Sequence, residues 1–154
     1  MPEKQTLERA KEDAREGKSP STQAGEFVRE EIHHIREGKH GAASPKQAIA
    51  IGLSKARRAG VKLKPPSRGK TSASTRQKAA RDLEKGQSHS PRKASPRRSR
   101  ARKQALKKEG RQAASHQALS RQARSAARKR GSKSRHNAAV KASRTRKSHR
   151  RANG

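Results

Sequence analysis

The sequence has no cysteine, tryptophan or tyrosine, and Phe27 is its only phenylalanine. Without cysteine the chain has no disulfides, no thiolate nucleophile and no cysteine-based zinc site. Without aromatic side chains it lacks the platforms on which RRM, cold-shock and OB modules stack bases. Sequence-specific recognition of single-stranded nucleic acid is therefore disfavoured.

Large apolar side chains are also scarce: hydrophobic residues make up 26% of the chain, and much of that share is alanine. A core must offset about 1–2 kcal/mol of backbone entropy per residue, so we expect most of the chain to be disordered when free. No apolar run is long enough to cross a membrane, and the charged first residues are unlike a signal peptide. These features predict a cytoplasmic, nucleoid-associated protein.

Acidic residues are outnumbered, with 12 Asp and Glu against 43 Lys and Arg and a net charge of +31. Such a charge calls for a polyanionic partner, and nucleic acid is favoured because each neutralised phosphate releases counterions. The charge is uneven: residues 1–64 (the head) carry +5 and residues 65–154 (the tail) carry +26. The Pro65-Pro66 pair marks the boundary.

Within the head, residues 19–64 are predicted to form a helical hairpin. Ser19 and Ser44 suit N-caps, each followed by a proline at the first helical position, and Gly38 and Gly60 suit the C-terminal stops. Apolar residues at helical spacing predict the hairpin core: Phe27, Val28, Ile32, Ile35, Ile49 and Leu53. Because forty residues seldom fold alone, two hairpins could associate as a homodimer. Residues 1–18 are predicted to be a polar helix or arm.

The tail, residues 65–154, is of low complexity. Three stretches, 74–85, 97–109 and 113–130, have helical propensity, but we expect like-charge repulsion to keep them unfolded until an anion binds. The predicted fold class is thus mostly α and disordered: a short helical hairpin followed by a long basic tail that becomes helical on binding.

Two Ser-Pro-basic-basic motifs, at 90–93 and 95–98, predict compact turns that hold cations together. Arginine exceeds lysine by 24 to 19, which suits bidentate phosphate contacts. The predicted nucleic-acid-binding residues lie in the second hairpin helix and in the tail: Lys55, Arg57, Arg58, Arg92, Lys93, Arg97, Arg98, Arg100, Arg102, Lys103, Arg121, Arg124, Arg128, Lys129 and Arg130.

Catalysis and metal binding find little support. Glu30 with His34 and His33 with Glu37 are four residues apart, and exposed pairing on a helix explains that spacing as well as a metal does. No phosphate loop, nucleophile elbow or carboxylate pair is evident, so we predict neither enzyme activity nor a cofactor nor a small-molecule substrate. A helix-turn-helix over residues 19–60 is disfavoured because the linker is longer than the usual tight turn.

Two stretches of the head, GKSPSTQAGEFV at 17–28 and SPKQAIAIGLSKARRAG at 44–60, resemble a family of small basic bacterial proteins. That family is a domain of unknown function, sometimes labelled DNA-binding or histone-like. The resemblance covers about residues 3–64 and implies a bacterial origin but no site residues. The tail resembles histone H1 tails in composition only.

The sequence therefore predicts an architectural, histone-like protein that binds and compacts duplex DNA without sequence preference. An RNA-binding or ribosome-associated protein has the same physics, and the sequence does not separate the two. A membrane-surface-active cationic protein is disfavoured, because the tail has only Leu83, Leu106, Leu119 and Val140 as sizeable apolar residues.

Overall fold

The computed structural model describes residues 2–88 and 95–152. Its chain forms two compact units, an N-terminal unit of residues 1–115 and a C-terminal unit of residues 116–154. Seven α-helices and one short 3₁₀ helix lie within the described residues: α1 Lys4–Arg15, α2 Pro20–Arg36, α3 Pro45–Arg58, α4 Ala73–Gln87, α5 Pro96–Lys108, the 3₁₀ helix Gln112–Ala114, α6 His116–Arg130 and α7 Ser132–Ala152.

Helices α2 and α3 form the hairpin that the sequence predicts. The hydroxyl of Ser19 accepts a hydrogen bond from the backbone N–H of Thr22, and that of Ser44 accepts one from Gln47. Both caps satisfy amides that a helix start leaves without partners. Gly38 follows the end of α2 with a φ of 77°, a left-handed conformation that glycine adopts without strain.

The core of the N-terminal unit lies between α1, α2 and α3. Phe27 and Ile35 are fully buried, and Phe27 clusters with Ala10 of α1 and Ala56 of α3. Of the predicted core residues, Ile32 is also buried, whereas the other three are half-buried: Val28, Ile49 and Leu53. Leu7 of α1 and Leu63 also pack on the cluster, so the apolar surface that suggested a homodimer is covered within the chain.

Small residues let this core form from few large side chains. Eight of the twelve buried hydrophobic residues in the described chain are alanine. At Gly52, a Cβ atom would lie 2.6 Å from the Cα of Val28, so α2 and α3 approach more closely than any side chain at that position permits. Alanine and glycine thus contribute by bringing backbones together, which gains dispersion contacts that their small area understates.

Helix α4 packs on α3 with a buried ion pair at its centre. Asp82, 8% exposed, accepts hydrogen bonds from the side chains of Arg58 at 2.7 Å and Ser54 at 2.6 Å. Ala79, one turn earlier, is also buried. One of the tail's three acids therefore joins the tail to the hairpin.

The chain between α5 and α6 also packs on the hairpin. The amides of Gly41 and Ala42 donate to the carbonyls of Leu106 and Gly110 at 2.9 and 3.1 Å. The side chain of Arg36 donates through Nε to the Ala114 carbonyl at 2.9 Å, and Ala114 is fully buried. The N-terminal unit consequently extends well beyond the predicted head.

The predicted fold class is wrong in its disordered tail. Helices α4 to α7 replace it, and the three stretches expected to fold only on binding are helical without a partner. Alanine, arginine, lysine and glutamine are among the strongest helix formers, and the buried anchors just described hold the first part of the tail. We overestimated like-charge repulsion, which costs an exposed helix only a few tenths of a kcal/mol per pair.

The C-terminal unit consists of α6 and α7, joined at Gly131, whose φ is 75°. No residue of α6 is buried, and every described side chain of α7 is exposed. Intrinsic propensity therefore maintains these helices more than packing does. Among the described helices, none combines the length and apolarity that a membrane crossing requires.

Candidate nucleic-acid interface

The C-terminal unit is a purely cationic surface. Residues 116–154 contain 13 Lys and Arg and no Asp or Glu, and all 13 basic residues are exposed. Five lie on α6 or at its end: Arg121, Arg124, Arg128, Lys129 and Arg130. The other eight lie on α7: Lys133, Arg135, Lys141, Arg144, Arg146, Lys147, Arg150 and Arg151.

The helical period distributes these cations differently on the two helices. On α6, Arg121, Arg124 and Arg128 are spaced by three and four residues and therefore share one face. On α7 the charge surrounds the helix: Lys133, Arg144 and Arg151 fall on one side, whereas Arg135, Arg146 and Arg150 fall on the opposite side. A surface that is positive on all sides suits a polyanion approaching from any direction.

Helix α5 presents a second cationic surface, within the N-terminal unit. Seven of its thirteen residues are basic and all seven are exposed: Arg97, Arg98, Arg100, Arg102, Lys103, Lys107 and Lys108. The second predicted Ser-Pro turn is wrong, because Ser95 is the N-cap of α5 and Pro96 its first residue. Arg97 and Arg98 thus lie on the first helical turn. Arg92 and Lys93, with the first Ser-Pro motif, lie outside the described residues.

The three predicted binding residues of α3 have partners inside the protein. Lys55 Nζ lies 2.6 Å from Glu31 and 3.3 Å from Glu30. Arg57, 6% exposed, donates to the carbonyls of Leu63 and Lys64, and its burial lowers the guanidinium pKa, an effect that Asp82 opposes. Arg58 pairs with Asp82. Because all three stabilise the fold, we do not include them in the interface.

The described acids pair with bases in the N-terminal unit, and the ion pairs of the described chain fall between Glu3 and Asp82. At its N-terminal end, Glu3 accepts from His34 at 2.8 Å and lies 3.3 Å from Lys39. Hydrogen bonds from His34 and then Lys39 lower the pKa of the Glu3 carboxyl. This acid-rich face would repel phosphate, which leaves α5, α6 and α7 as the surfaces that attract it.

Sequence reasoning missed the eight basic residues of α7 and the pair Lys107 and Lys108. A signal for them was present, because residues 110–154 contain no acid and mix basic residues with alanine at helical density. That composition was interpreted as a disordered tail, so its helical spacing was not examined.

Residues 15–68 match the model of a family of unknown function, DUF6496. The match includes α2 and α3 and leaves out most of α1 and everything after the linker. It confirms a domain of unknown function in the head, whereas it carries neither a DNA-binding label nor a bacterial origin. No curated protein and no solved structure matches the chain.

Proposed function

We propose that this protein binds nucleic acid, duplex DNA in preference, through α5, α6 and α7 and without sequence preference. One observation carries the proposal: the C-terminal unit exposes 13 basic residues with no acid to neutralise them. Phosphate supplies the missing counter-charge, and the release of condensed counterions drives the association.

The arrangement of the cations supports a compacting role. Because α7 carries Arg and Lys on opposite sides, one helix can contact two phosphate backbones, either across a groove or on two duplex segments. Arginine forks onto phosphate bidentately without reading bases. A protein that does this coats and draws together DNA, as an architectural, histone-like protein does.

Ordered helices favour duplex over single-stranded nucleic acid. The cations have fixed helical spacing, whereas the aromatic residues that would stack unpaired bases are absent, since Phe27 is buried. Double-stranded RNA presents similar phosphates and is therefore the main alternative outcome of the test.

The test compares neutralised variants of the full chain on a mixed-sequence DNA duplex at several salt concentrations. Replacing Arg144, Lys147 and Arg151 of α7 with glutamine should make the plot of log K against log salt shallower by about 0.9 for each lost phosphate contact. Unrelated duplex sequences should bind with equal affinity, and a double-stranded RNA of the same length should bind more weakly.

A matched control removes the same charge elsewhere. Lys4, Lys11 and Arg15 are exposed on α1, and their replacement with glutamine should leave the salt slope unchanged. Equal losses in both variants would show that net charge alone binds the duplex and that α7 is not an interface. Tighter binding to RNA would move the proposal to the RNA-binding alternative.

A further inference from the structure

Three potential metal ligands meet where α2 ends and the chain turns toward α3. One ligand atom from each of Glu31, His34 and His40 lies within 4.8 Å of the other two. Glu31 and His34 are three residues apart on one face of α2, and the reversal at Gly38 brings His40 back beside them. The imidazole rings of His34 and His40 are edge to face, with centroids 6.2 Å apart.

Hydrogen bonds determine which nitrogen of each histidine is free. His40 Nδ1 lies 3.1 Å from the Gly41 carbonyl, and His34 Nε2 lies 2.8 Å from a Glu3 carboxylate oxygen. Carbonyl and carboxylate oxygens only accept, so these two nitrogens carry the protons. Nε2 of neutral His40 and Nδ1 of neutral His34 then remain as lone-pair donors.

The lone pair of His40 faces another acceptor. Its Nε2 lies 3.0 Å from Glu31 Oε1, and the Glu31 side chain is only 1% exposed. Two acceptors at this distance inside a protein require a cation to reconcile them. The other oxygen, Glu31 Oε2, lies 2.6 Å from Lys55 Nζ without hydrogen-bond geometry, so Lys55 holds the carboxylate while leaving Oε1 available.

We infer that Glu31 Oε1, His34 Nδ1 and His40 Nε2 form a binding site for a divalent transition-metal ion such as Zn²⁺. Two imidazoles and one carboxylate are a donor set that suits zinc, cobalt or nickel, whereas Mg²⁺ and Ca²⁺ prefer oxygen alone. The outer contacts match those of metal-bound histidines, which donate their second N–H to a carboxylate or a backbone carbonyl. Here Glu3 and the Gly41 carbonyl supply those acceptors.

Binding needs only a small closure. Zinc ligands lie about 2.0–2.2 Å from the ion, so the widest pair must draw together by roughly an ångström, which side-chain rotation allows. Ion access is available from the groove between α1 and α2, which is lined by Glu3, Glu30 and His34 among others. Three protein ligands leave the fourth coordination position open, and the inference is independent of nucleic-acid binding.

The experiment titrates Zn²⁺ into the full, untagged chain after nuclease treatment and high-salt purification, since bound phosphate would itself hold the ion. Competition with a chromophoric chelator should show one site per chain, with no site for Mg²⁺. His40→Gln should weaken zinc binding at least tenfold, whereas His33→Gln, an exposed neighbour on the same helix, should leave it within about twofold of the wild-type value.

Nitrogen-detected NMR of the unmodified chain tests the assignment without a substitution. Zinc should shift Nδ1 of His34 and Nε2 of His40 and leave the other histidines unchanged. Absence of stoichiometric binding, an equal loss in His33→Gln, or zinc shifts on the opposite nitrogens would overturn the inference. A doubly protonated His40 that persists at saturating zinc would also overturn it, because a proton would then fill the place assigned to the ion.

Discussion

Helices α2 and α7 lie in the same chain and are maintained by different forces. Of the 17 residues in α2, six are buried, among them two glutamates that pair with bases. The 21 residues of α7 carry eight bases and no acid, and every described side chain is exposed. The first helix exists because its neighbours pack on it, and the second because its residues favour helix.

The difference separates stability from binding. Where acids are available, bases such as Lys55 and Arg58 are used inside the fold and cannot also serve a ligand. Where acids are absent, the bases remain exposed and the helix keeps little tertiary stability. Substitutions that affect one region should therefore leave the other nearly unchanged.

The largest effect is expected from Phe27→Ala. Phe27 is fully buried at the centre of the core cluster, so its truncation should cost about 3–5 kcal/mol of unfolding free energy in the N-terminal unit. Urea titration followed by circular dichroism measures that loss, and hydrogen exchange shows which helices open. As the control, Val140→Ala on α7, 36% exposed in the wild type, should change stability by less than about 0.5 kcal/mol. Similar costs at the two positions would contradict the comparison.

A smaller effect of either sign is expected from two glycine substitutions in the hairpin. Gly52→Ala places a Cβ 2.6 Å from the backbone of α2 and should destabilise the N-terminal unit by about 1–3 kcal/mol. Gly25→Ala, on the exposed face of α2 with no atom within 4 Å, should stabilise it by about 0.5–1 kcal/mol. Thermal unfolding of both variants provides the measurement, and a stabilising Gly52→Ala would show that α2 and α3 are not in close contact.

The smallest effect is the response to salt, which should have opposite signs in the two regions. Raising NaCl from about 50 to about 500 mM screens exposed charges, which weakens the attractive pairs of α1 and α2 and relieves repulsion along α7. Hydrogen exchange should quicken slightly in the first two helices and slow in α7, by tenths of a kcal/mol. The free protein serves as the sample, with a neutral osmolyte as the control for viscosity. Slower exchange throughout would indicate that repulsion governs the whole chain.

Local signals predicted the hairpin well. Ser19 and Ser44 cap their helices as expected, and the apolar spacing identified Phe27, Ile32 and Ile35 as core. These features depend on interactions between residues close in sequence, which a pattern can reveal. The predicted cap at Ser74 is wrong by a short distance, since Ser72 caps α4.

Long-range contacts could not be read from the pattern. Asp82 was counted as a rare acid in a basic tail, whereas its burial against Arg58 depends on how α4 crosses α3. Gly41 was assigned to a linker, although its amide holds the end of α5. Spacing of four on α2 grouped Glu30 with His34, while the turn after Gly38 selected Glu31 and His40 instead. In each case the partner lies in another element.

Gly86, near the end of α4, has a consequence for how relatives should be recognised. A Cβ there would lie 1.9 Å from the Arg57 carbonyl, so α4 can cross the end of α3 only where a residue has no side chain. The family match ends at residue 68 and excludes this crossing. If the domain shared by relatives includes α4, their alignments should continue past the Pro-Pro linker and show a column nearly restricted to glycine at this position. Chains that lack that glycine should end the shared domain at the linker.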